Sequence, residues 1–411
     1  MEQAHPRPLR PHYAWVVCAA CAIMLFIAMG MAANVFSVYQ PYILAANGFT
    51  NAQGSLIVTI RCLLALVGMM TAEFLFSRLG LRRTAALGLG LQILSRVIFA
   101  FSHSFPAYCA GAVLSGLCYA WAGMVPLSLL MGRWFQDRRG FAVGLSSTGS
   151  GVATVLLPPV ISSLVKQFGL TFTFLTEAGF TLALSILVVL LVRNTPEEMG
   201  LSPYRTNAES VVPPAEASVG GLSNARWGAV LFGIFLLAGT VGPGFNHLTM
   251  LYTTEGYAPT LVSWLWSYMG LALIVGKIGY GQIADRLGGW RSNFLIGGVI
   301  LGAQAACCMA PLGSIFFPIL STTLFGFGLP IGSVSFAIWA QDLRGKNNYQ
   351  AAVQQCNIAY AIGNFMFGPL PGILADYMGS YVPAYIVFML LSLVCLVILQ
   401  WTYRSLGLNQ R

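Results

Sequence analysis

Twelve long runs of apolar residues, separated by short polar segments, make up most of the sequence. They cover residues 14–38, 53–76, 84–102, 107–131, 141–165, 171–193, 227–252, 260–283, 293–312, 315–339, 350–374 and 380–403. A helix needs roughly 20 apolar residues to cross the hydrocarbon core of a bilayer. Lipid offers no hydrogen-bond partners to the backbone, and runs this continuous lack the alternation of barrel strands. The pattern therefore predicts an all-α membrane protein with twelve transmembrane helices.

A short charged turn lies between two apolar runs in each half of the chain. The second copy contains Gly281, Asp285, Arg286, Gly288 and Arg291, and the first contains Glu73, Ser77, Arg78 and Gly80. Three positions match at one constant offset of 208 residues, about half of the 411-residue chain. Repeats of this length are typical of secondary transporters, in which two equivalent bundles meet around a central site. We therefore expect two pseudo-symmetric six-helix bundles.

One long segment reads as a linker between these bundles. Residues 194–226 are rich in Pro, Ser, Gly and Glu, a composition typical of flexible tethers. This divides the chain into an N-terminal bundle (1–193), a cytoplasmic linker (194–226) and a C-terminal bundle (227–411). Such a tether would let the two bundles rock against each other.

Composition and charge support a membrane location. The chain is 57% hydrophobic and 8% charged, whereas soluble domains carry about 25% charged residues. Of the 21 Lys and Arg residues, 17 fall in the loops and termini of one predicted side, so both termini should be cytoplasmic. The net charge of +9 follows from these loops and does not indicate nucleic-acid binding. We expect a monomeric multi-pass protein of the cell (inner) membrane, in contact with lipid. A signal peptide ending near Met31 is the weaker alternative, because its loss would leave an odd number of helices.

Enzymatic chemistry finds no support in the sequence. There is no nucleotide-binding loop, metal-ligand cluster or nucleophile arrangement, and the nine Cys all fall in apolar runs without metal-ligand spacing. We therefore predict neither enzymatic activity nor a cofactor, and energy must come from a gradient.

The repeated charged turn resembles the signature of the major facilitator superfamily, Gly-x-x-x-Asp-Arg-x-Gly-x-Arg-Arg, found between helices 2 and 3 and again between helices 8 and 9. The second copy fits the signature well. In the first copy, Ser77 replaces the acid and Glu73 replaces the glycine. In the family that acid helps to close the cytoplasmic gate, a role that Ser77 cannot fill electrostatically. Glu73 lies one helical turn earlier and is a candidate substitute.

The resemblance narrows towards the monocarboxylate and oxalate-formate transporter branch. It is carried by Arg133-Trp-Phe, Arg138-Arg139-Gly-Phe-Ala-Val-Gly144, Gly149-Ser-Gly151, Pro196-Glu-Glu-Met-Gly200-Leu-Ser-Pro203 and Asn246-His247-Leu. It implies a carrier of small organic anions, with or without protons. Lys277 falls where this branch commonly has an arginine that grips the substrate carboxylate. Tyr360 stands where oxalate-exchanging relatives have a lysine, which favours a monoanion. Leu273 stands where the branch has a carboxylate, so the familiar proton relay is incomplete.

Two cations inside the predicted spans are the principal candidates for substrate binding. A charge at the bilayer centre costs about 3 kcal/mol, so an intramembrane ion is a functional candidate. Arg61 lies about 15 Å beyond Asn51, and Lys277 about 12 Å before Asp285, at 1.5 Å per helical residue. Buried positive charge favours an anionic guest. Arg61 could instead pair with backbone carbonyls or with Gln53, in a structural role.

Further polar residues complete the candidate set. Asn34, Tyr39, Gln40, His247, Tyr360 and Asn364 are candidates for lining the substrate site. Glu177 and His247 are candidates for proton coupling, since imidazole changes charge near neutral pH. Glu177 could equally be a partner for Arg96 or an interface residue. Arg96 itself is expected to snorkel to the outer membrane interface.

Two other functions remain open. An efflux carrier for lipophilic or amphiphilic compounds would use Trp121, Trp264, Trp266, Trp339 and the 15 Met as an adaptable apolar wall. A ligand sensor derived from a transporter is the third reading, although no signalling domain accompanies the helices. We favour a secondary carrier for a small organic anion, working by alternating access as a proton symporter or an anion exchanger.

Overall fold

A computed structural model describes residues 12–136, 139–205, 222–329, 334–344 and 348–406. The described part is helical almost throughout. The N-terminal half contains α1 (Tyr13–Leu25), the π-helix Phe26–Asn34, α2 (Phe36–Asn47), α3 (Asn51–Phe101), α4 (Phe105–Trp121), α5 (Met124–Trp134) and α6 (Arg139–Leu191). The C-terminal half contains α7 (Asn224–Asn246), α8 (Leu248–Thr254), α9 (Pro259–Cys308), α10 (Phe316–Gly328), α11 (Val334–Arg344), α12 (Tyr349–Phe367), α13 (Leu370–Met378) and α14 (Val382–Ser405).

Eight helices in the described part are long and apolar enough to cross a membrane. Three of the chain's helices, α3, α6 and α9, are 50 to 53 residues long, more than twice the length that a single crossing needs. α3 bends at Gly80 and α6 bends at Gly169. Both glycines have a positive φ, which residues with a Cβ rarely adopt. The predicted helical, multi-pass character is therefore confirmed for the described part.

The first predicted span is interrupted by the π-helix Phe26–Asn34. Its wider turn ends where the backbone N–H of Val35 donates to the carbonyl of Gly30 at 3.0 Å. Gly30 lies against Ala153 of α6 so closely that a Cβ at this position would collide with it. π-Helical turns inside α-helices occur frequently at functional sites. This one provides the carbonyl groups that both buried arginines of α3 use.

The two halves pack together at one end of the bundle and separately at the other. We call these the Asn51 end and the Arg78 end, after residues at either end of the first limb of α3. One hydrophobic cluster at the Asn51 end contains residues of both halves, including Tyr39 and Tyr252. Towards the Arg78 end, the buried apolar residues form one cluster in each half. The two halves are therefore held together mainly at the Asn51 end.

The segment expected to be a linker begins with ordered structure. Residues Pro196–Met199 form a short 3-10 helix, and Tyr204 pairs with Phe135 in an isolated parallel bridge. At its far end, the backbone N–H of Leu222 donates to the carbonyl of Leu343 at 3.1 Å. Each end of the segment therefore packs on its own half. The residues between them, 206–221, lie outside the described part.

Candidate functional site

Arg61 lies in the first limb of α3 and is buried, with 6% of its surface exposed. Its Nη1 donates to the carbonyl oxygens of Ala32 at 2.8 Å and Ala33 at 3.1 Å, and its guanidinium lies 5.8 Å from the ring centre of Phe36. Among the residues that the structure describes, no acidic side chain forms an ion pair with Arg61. Carbonyl dipoles solvate the guanidinium but do not cancel its charge.

Lys277 approaches the N-terminal half from α9. Its Nζ donates to the carbonyl oxygen of Ser147 at 3.3 Å and to the hydroxyl of Ser150 at 3.0 Å, both on α6. The amine is half-buried, and within the described ranges it too has no acidic partner. The second cation therefore belongs to one half but takes its hydrogen-bond partners from the other.

A string of hydroxyl groups leads from Lys277 to the π-helix. Ser150 donates to the carbonyl of Ser147 at 3.0 Å, and Thr154 donates to the carbonyl of Ser150 at 2.9 Å. Thr154 also accepts a hydrogen bond of 3.1 Å from the side-chain amide of Asn34. Asn34 directly follows the two carbonyls that bind Arg61. The structure thus links Lys277 to Asn34 through Ser150 and Thr154, and Asn34 adjoins in sequence the carbonyl groups that bind Arg61.

Arg96 does not snorkel, so that expectation was wrong. Its Nε lies 2.9 Å from Oε1 of Glu177, with 0% and 6% of the two side chains exposed. Nη2 of Arg96 donates to the carbonyl of Met31 at 2.7 Å, and with its amide oriented to satisfy both neighbours Gln92 accepts from the guanidinium as well. A buried carboxylate on α6 holds this arginine inside the bundle, because breaking such a pair would leave an uncompensated buried charge. Of the alternatives for Glu177, the partner of Arg96 is the one that the geometry supports.

Tyr39 and Gln40 lie deeper than expected for groups lining a cavity. Tyr39 donates to Oε2 of Glu177 at 2.7 Å and stacks on Phe174 at 4.5 Å between ring centres. It therefore belongs to the buried Arg96–Glu177 cluster. Gln40 is 2% exposed, and neither of its side-chain polar atoms has a hydrogen-bond partner among the described residues. Its amide nitrogen lies close to Gly54 of α3.

His247 sits between the two halves near the Asn51 end. Its Nε2 lies 2.7 Å from the hydroxyl of Ser55 on α3, and its Nδ1 lies 2.8 Å from the carbonyl oxygen of Pro243. A carbonyl only accepts, so Nδ1 carries the hydrogen and, in the neutral ring, Nε2 accepts from Ser55. Tyr381 stacks on the ring at 5.9 Å. His247 thus joins α7 to α3 across the interface between the halves.

The two candidates on α12 make contacts within the C-terminal half. The ring of Tyr360 meets that of Phe336 edge to face at 5.4 Å. Asn364 packs so closely over Gly242 of α7 that a Cβ there would collide with its amide. Both side chains are half-buried.

The first copy of the repeated turn is exposed at the Arg78 end. Ser77 donates only to the carbonyl of Phe74 within its own helix, and the guanidinium of Arg78 lies 4.5 Å from the ring centre of Phe74. Glu73 is exposed, and the bend itself falls at Gly80. In the second copy, Arg291 is exposed. For Gly281, Asp285, Arg286 and Gly288 the structure describes only the backbone, which is part of α9.

Ser147, Ser150 and Thr154 are not among the residues that the sequence predicts for the site, although Ser150 lies in the stretch Gly149-Ser-Gly151. The signal that could have found them is the hydroxyl spacing, because Ser150 and Thr154 are four residues apart and therefore share a helix face. Asp376, which links the halves at the Asn51 end, was overlooked as well.

Two cavities of the described part lie away from the buried cations. One, of about 300 Å³, opens between α6 and α9, and its lining includes Lys166, Thr260 and Trp264. The other, of about 470 Å³, is lined by Arg82, Arg83 and Glu198 among others. Neither contains Arg61 or Lys277, so the polar contacts rather than these cavities define the candidate site.

Comparison with known proteins agrees with this architecture. The chain is 23% identical over 409 residues to Monocarboxylate transporter 12 of Rattus norvegicus, covering 91% of this chain and 82% of that protein. It is 26% identical over 203 residues to the Fujikurins efflux protein of Gibberella fujikuroi, covering 49% of this chain and 41% of that protein.

A solved structure of a D-xylose-proton symporter superposes with a TM-score of 0.66 over 94% of this chain and 96% of that one, at 14% identity. This likeness establishes the fold. The sequence model of the Major Facilitator Superfamily matches residues 21–366, most of the chain. The protein is therefore a multi-pass membrane transporter, not an enzyme, and belongs to the major facilitator superfamily.

Proposed function

We propose that this protein is a secondary active transporter for a small organic anion, most specifically a monocarboxylate. The observation that carries the proposal is the pair of cations inside the helices, the buried Arg61 and the half-buried Lys277. Neither has an acidic partner in the described ranges, and Lys277 is linked through Ser150 and Thr154 to Asn34, which follows the carbonyls that bind Arg61. Both side chains donate to groups of the N-terminal half, although Lys277 itself lies in the C-terminal half.

The energetics of buried charge favour an anionic substrate. A charge in the membrane interior costs about 3 kcal/mol on insertion scales, and hydrogen bonds to neutral groups offset only part of this cost. The Arg96–Glu177 pair illustrates full compensation in the same bundle. Arg61 and Lys277 lack it, and a bound carboxylate would supply the missing negative charge. Lys277 offers a point charge rather than a planar fork, so recognition through this residue would not be bidentate.

The similarity to a protein named Monocarboxylate transporter 12 also supports a small carboxylate as the substrate. The two sequences are 23% identical, and the monocarboxylate substrate of this chain is therefore part of our proposal. Of the polar candidates, Asn34 adjoins the two cations through Thr154, and we assign Asn34 to the substrate site with them. Gln40, His247, Tyr360 and Asn364 remain candidates that would contact substrate in other states of the cycle.

The architecture suits alternating access with twelve crossings. Eight helices span by length and composition, the second limbs of α3, α6 and α9 would add three, and α10 with α11 would add one. We propose six crossings in each half, joined by residues 194–226, with both termini and the Arg78 end in the cytoplasm of the cell. The halves meet at the Asn51 end, so this arrangement corresponds to a carrier closed towards the outside.

Coupling would be proton symport or anion exchange. The superposed D-xylose-proton symporter makes protons a reasonable coupling ion. Glu177 and His247 are the candidate proton sites, since Leu273 occupies the place of the branch's usual carboxylate. Glu177 is engaged by Arg96 and Tyr39, and His247 by Ser55 and Pro243. Anion exchange requires neither residue to titrate.

An efflux carrier for lipophilic compounds is the second candidate. Similarity to the Fujikurins efflux protein over 203 residues favours it. The tryptophans do not gather into one apolar wall, however. Trp264 is 64% exposed on the outside of the bundle, whereas Trp266 and Trp339 are fully buried, with their indole N–H groups donating to Thr249 and Asn293.

Uptake into proteoliposomes tests the proposal. Radiolabelled lactate, pyruvate, formate and oxalate would be offered with and without an inward proton gradient. We expect uptake of a monocarboxylate, and a loss of at least tenfold in Lys277→Ala and Arg61→Ala, because each removes a charge-assisted contact. Lys166→Ala, which removes an exposed lysine, is the matched control. Anion uptake that survives both core substitutions would refute the site, and transport of cationic dyes alone would favour the efflux carrier.

A further inference from the structure

The contact between Lys277 and Ser150 crosses from one half of the protein to the other. Both hydrogen-bond partners of the amine lie on α6 of the N-terminal half, while Lys277 lies on α9 of the C-terminal half. Close packing holds these helices in register, because Gly270 lies against the backbone of Val155 and Gly151 against Ile274. The packing of α6 on α9 therefore keeps Lys277 beside Ser150.

The two hydroxyl groups of the string have fixed orientations. A serine or threonine hydroxyl has one hydrogen to donate. Ser150 uses it on the carbonyl of Ser147, and Thr154 uses it on the carbonyl of Ser150. The lone pairs of Ser150 are thereby turned towards Lys277, and those of Thr154 towards Asn34. Both side chains are 0% exposed, so water does not compete for them.

We propose that Ser150 is a positioning residue that holds and partly compensates the charge of Lys277 while the carrier is empty, with Thr154 fixing Asn34 beside it. This inference rests on the function proposed above, in which a carboxylate binds Lys277. The arriving carboxylate competes with the hydroxyl of Ser150 and the carbonyl of Ser147 for the same ammonium hydrogens. Substrate binding thus releases Lys277 from α6.

This competition gives Ser150 opposite effects on two steps of transport. Without its hydroxyl, the amine loses a competitor, so substrate should bind more tightly. The empty carrier must return with Lys277 less well compensated, so that return should slow. Exchange of substrate for substrate never uses the empty carrier and should be spared. A residue that merely supports the fold would change net uptake and exchange together.

The experiment compares net uptake with substrate counterflow in proteoliposomes, using the monocarboxylate that the wild-type protein transports. For Ser150→Ala we expect the KM for exchange to fall about threefold, and the ratio of net uptake to exchange to fall about tenfold or more, which is the size expected for one hydrogen bond to a charged group. Ser163→Ala is the matched control, because it removes an exposed serine hydroxyl of the same helix, which accepts from Gln167.

A second pair of variants keeps the test valid if Ser150→Ala folds poorly. Thr154→Val keeps the shape but loses the hydroxyl, whereas Thr154→Ser keeps the hydroxyl. We expect Thr154→Val to raise the KM, because Asn34 loses its anchor, and Thr154→Ser to transport like the wild type. Equal behaviour of Ser150→Ala and Ser163→Ala, while Lys277→Ala abolishes uptake, would overturn this inference alone. Normal anion uptake by Lys277→Ala would overturn the proposed function itself.

Discussion

The carboxylate of Asp376 accepts the backbone N–H of Asn51 at 3.0 Å, although the two residues belong to opposite halves of the protein. Its other oxygen accepts the N–H of Ala52 at 2.8 Å. The first N–H groups of a helix have no partner within the helix. At the start of α3, Thr50 and Gln53 form a capping box in which each side chain accepts the backbone N–H of the other residue, and Asp376 accepts the two N–H groups between them. The negative charge also suits the helix N-terminus.

This cap should act as a latch that closes the Asn51 end. Replacing Asp376 with Ala should free the amides of Asn51 and Ala52. Loss of a helix cap costs about 1 kcal/mol, so we expect roughly fivefold faster exchange of these amides, measured in a peptide covering residues 48–57. Hydrogen–deuterium exchange by mass spectrometry checks this. Tyr377→Phe, at a neighbouring side chain that is 87% exposed, is the control. Unchanged exchange in the Asp376 variant would show that the latch does not hold this end.

The Arg96–Glu177 pair should matter first for stability. Removing one member of a buried ion pair costs about 3–5 kcal/mol, while replacing both by apolar residues of similar volume is often neutral. We therefore expect Arg96→Met and Glu177→Leu to lower the melting temperature in detergent singly, and the double variant to recover most of it. Whether uptake by the recovered double variant still depends on a proton gradient then distinguishes a proton-coupling role of Glu177 from a structural one. If this dependence is lost, Glu177 is the coupling site, and if it is retained, the pair is structural.

Two glycines of α6 should differ sharply in their tolerance of alanine. A Cβ at Gly149 would collide with the carbonyl oxygen of Ala22 on α1, whereas nothing lies within 4 Å of a Cβ at Gly144. Overpacking a tight contact costs about 1–3 kcal/mol or more. We expect Gly149→Ala to lower the melting temperature and the yield of monodisperse protein, with Gly144→Ala unaffected. Equal tolerance at both positions would contradict the packing of α1 on α6.

Much of the fold follows from the sequence because lipid imposes strict requirements on it. Apolar runs must become helices, and the charged turn with Gly80 marks a bend that the structure places at that residue. The similarity of the two halves, read from one offset, agrees with the transporter family. The bounds of single crossings are harder to predict from the sequence, because the two limbs of α3 meet at Gly80 with no loop between them.

Only part of the candidate site can be predicted from the sequence. Buried cations can be located from their depth in an apolar run, but their partners depend on how distant helices pack. Arg96 and Glu177 are far apart in sequence, so depth alone favoured snorkelling over the ion pair that forms. Likewise, nothing in the run of small residues around Ser150 specifies that its hydroxyl faces Lys277. That contact depends on the rotation of α6 against α9.

Competition between a carboxylate and its amide tests the central claim most directly. Uptake of labelled lactate would be measured in the presence of unlabelled lactate or lactamide, which differ in charge but hardly in shape. We predict that lactate competes and lactamide does not, and that Lys277→Ala abolishes the uptake itself. Equal competition by lactamide would mean that no charge is recognised, and would contradict the assignment of Arg61 and Lys277 to an anion.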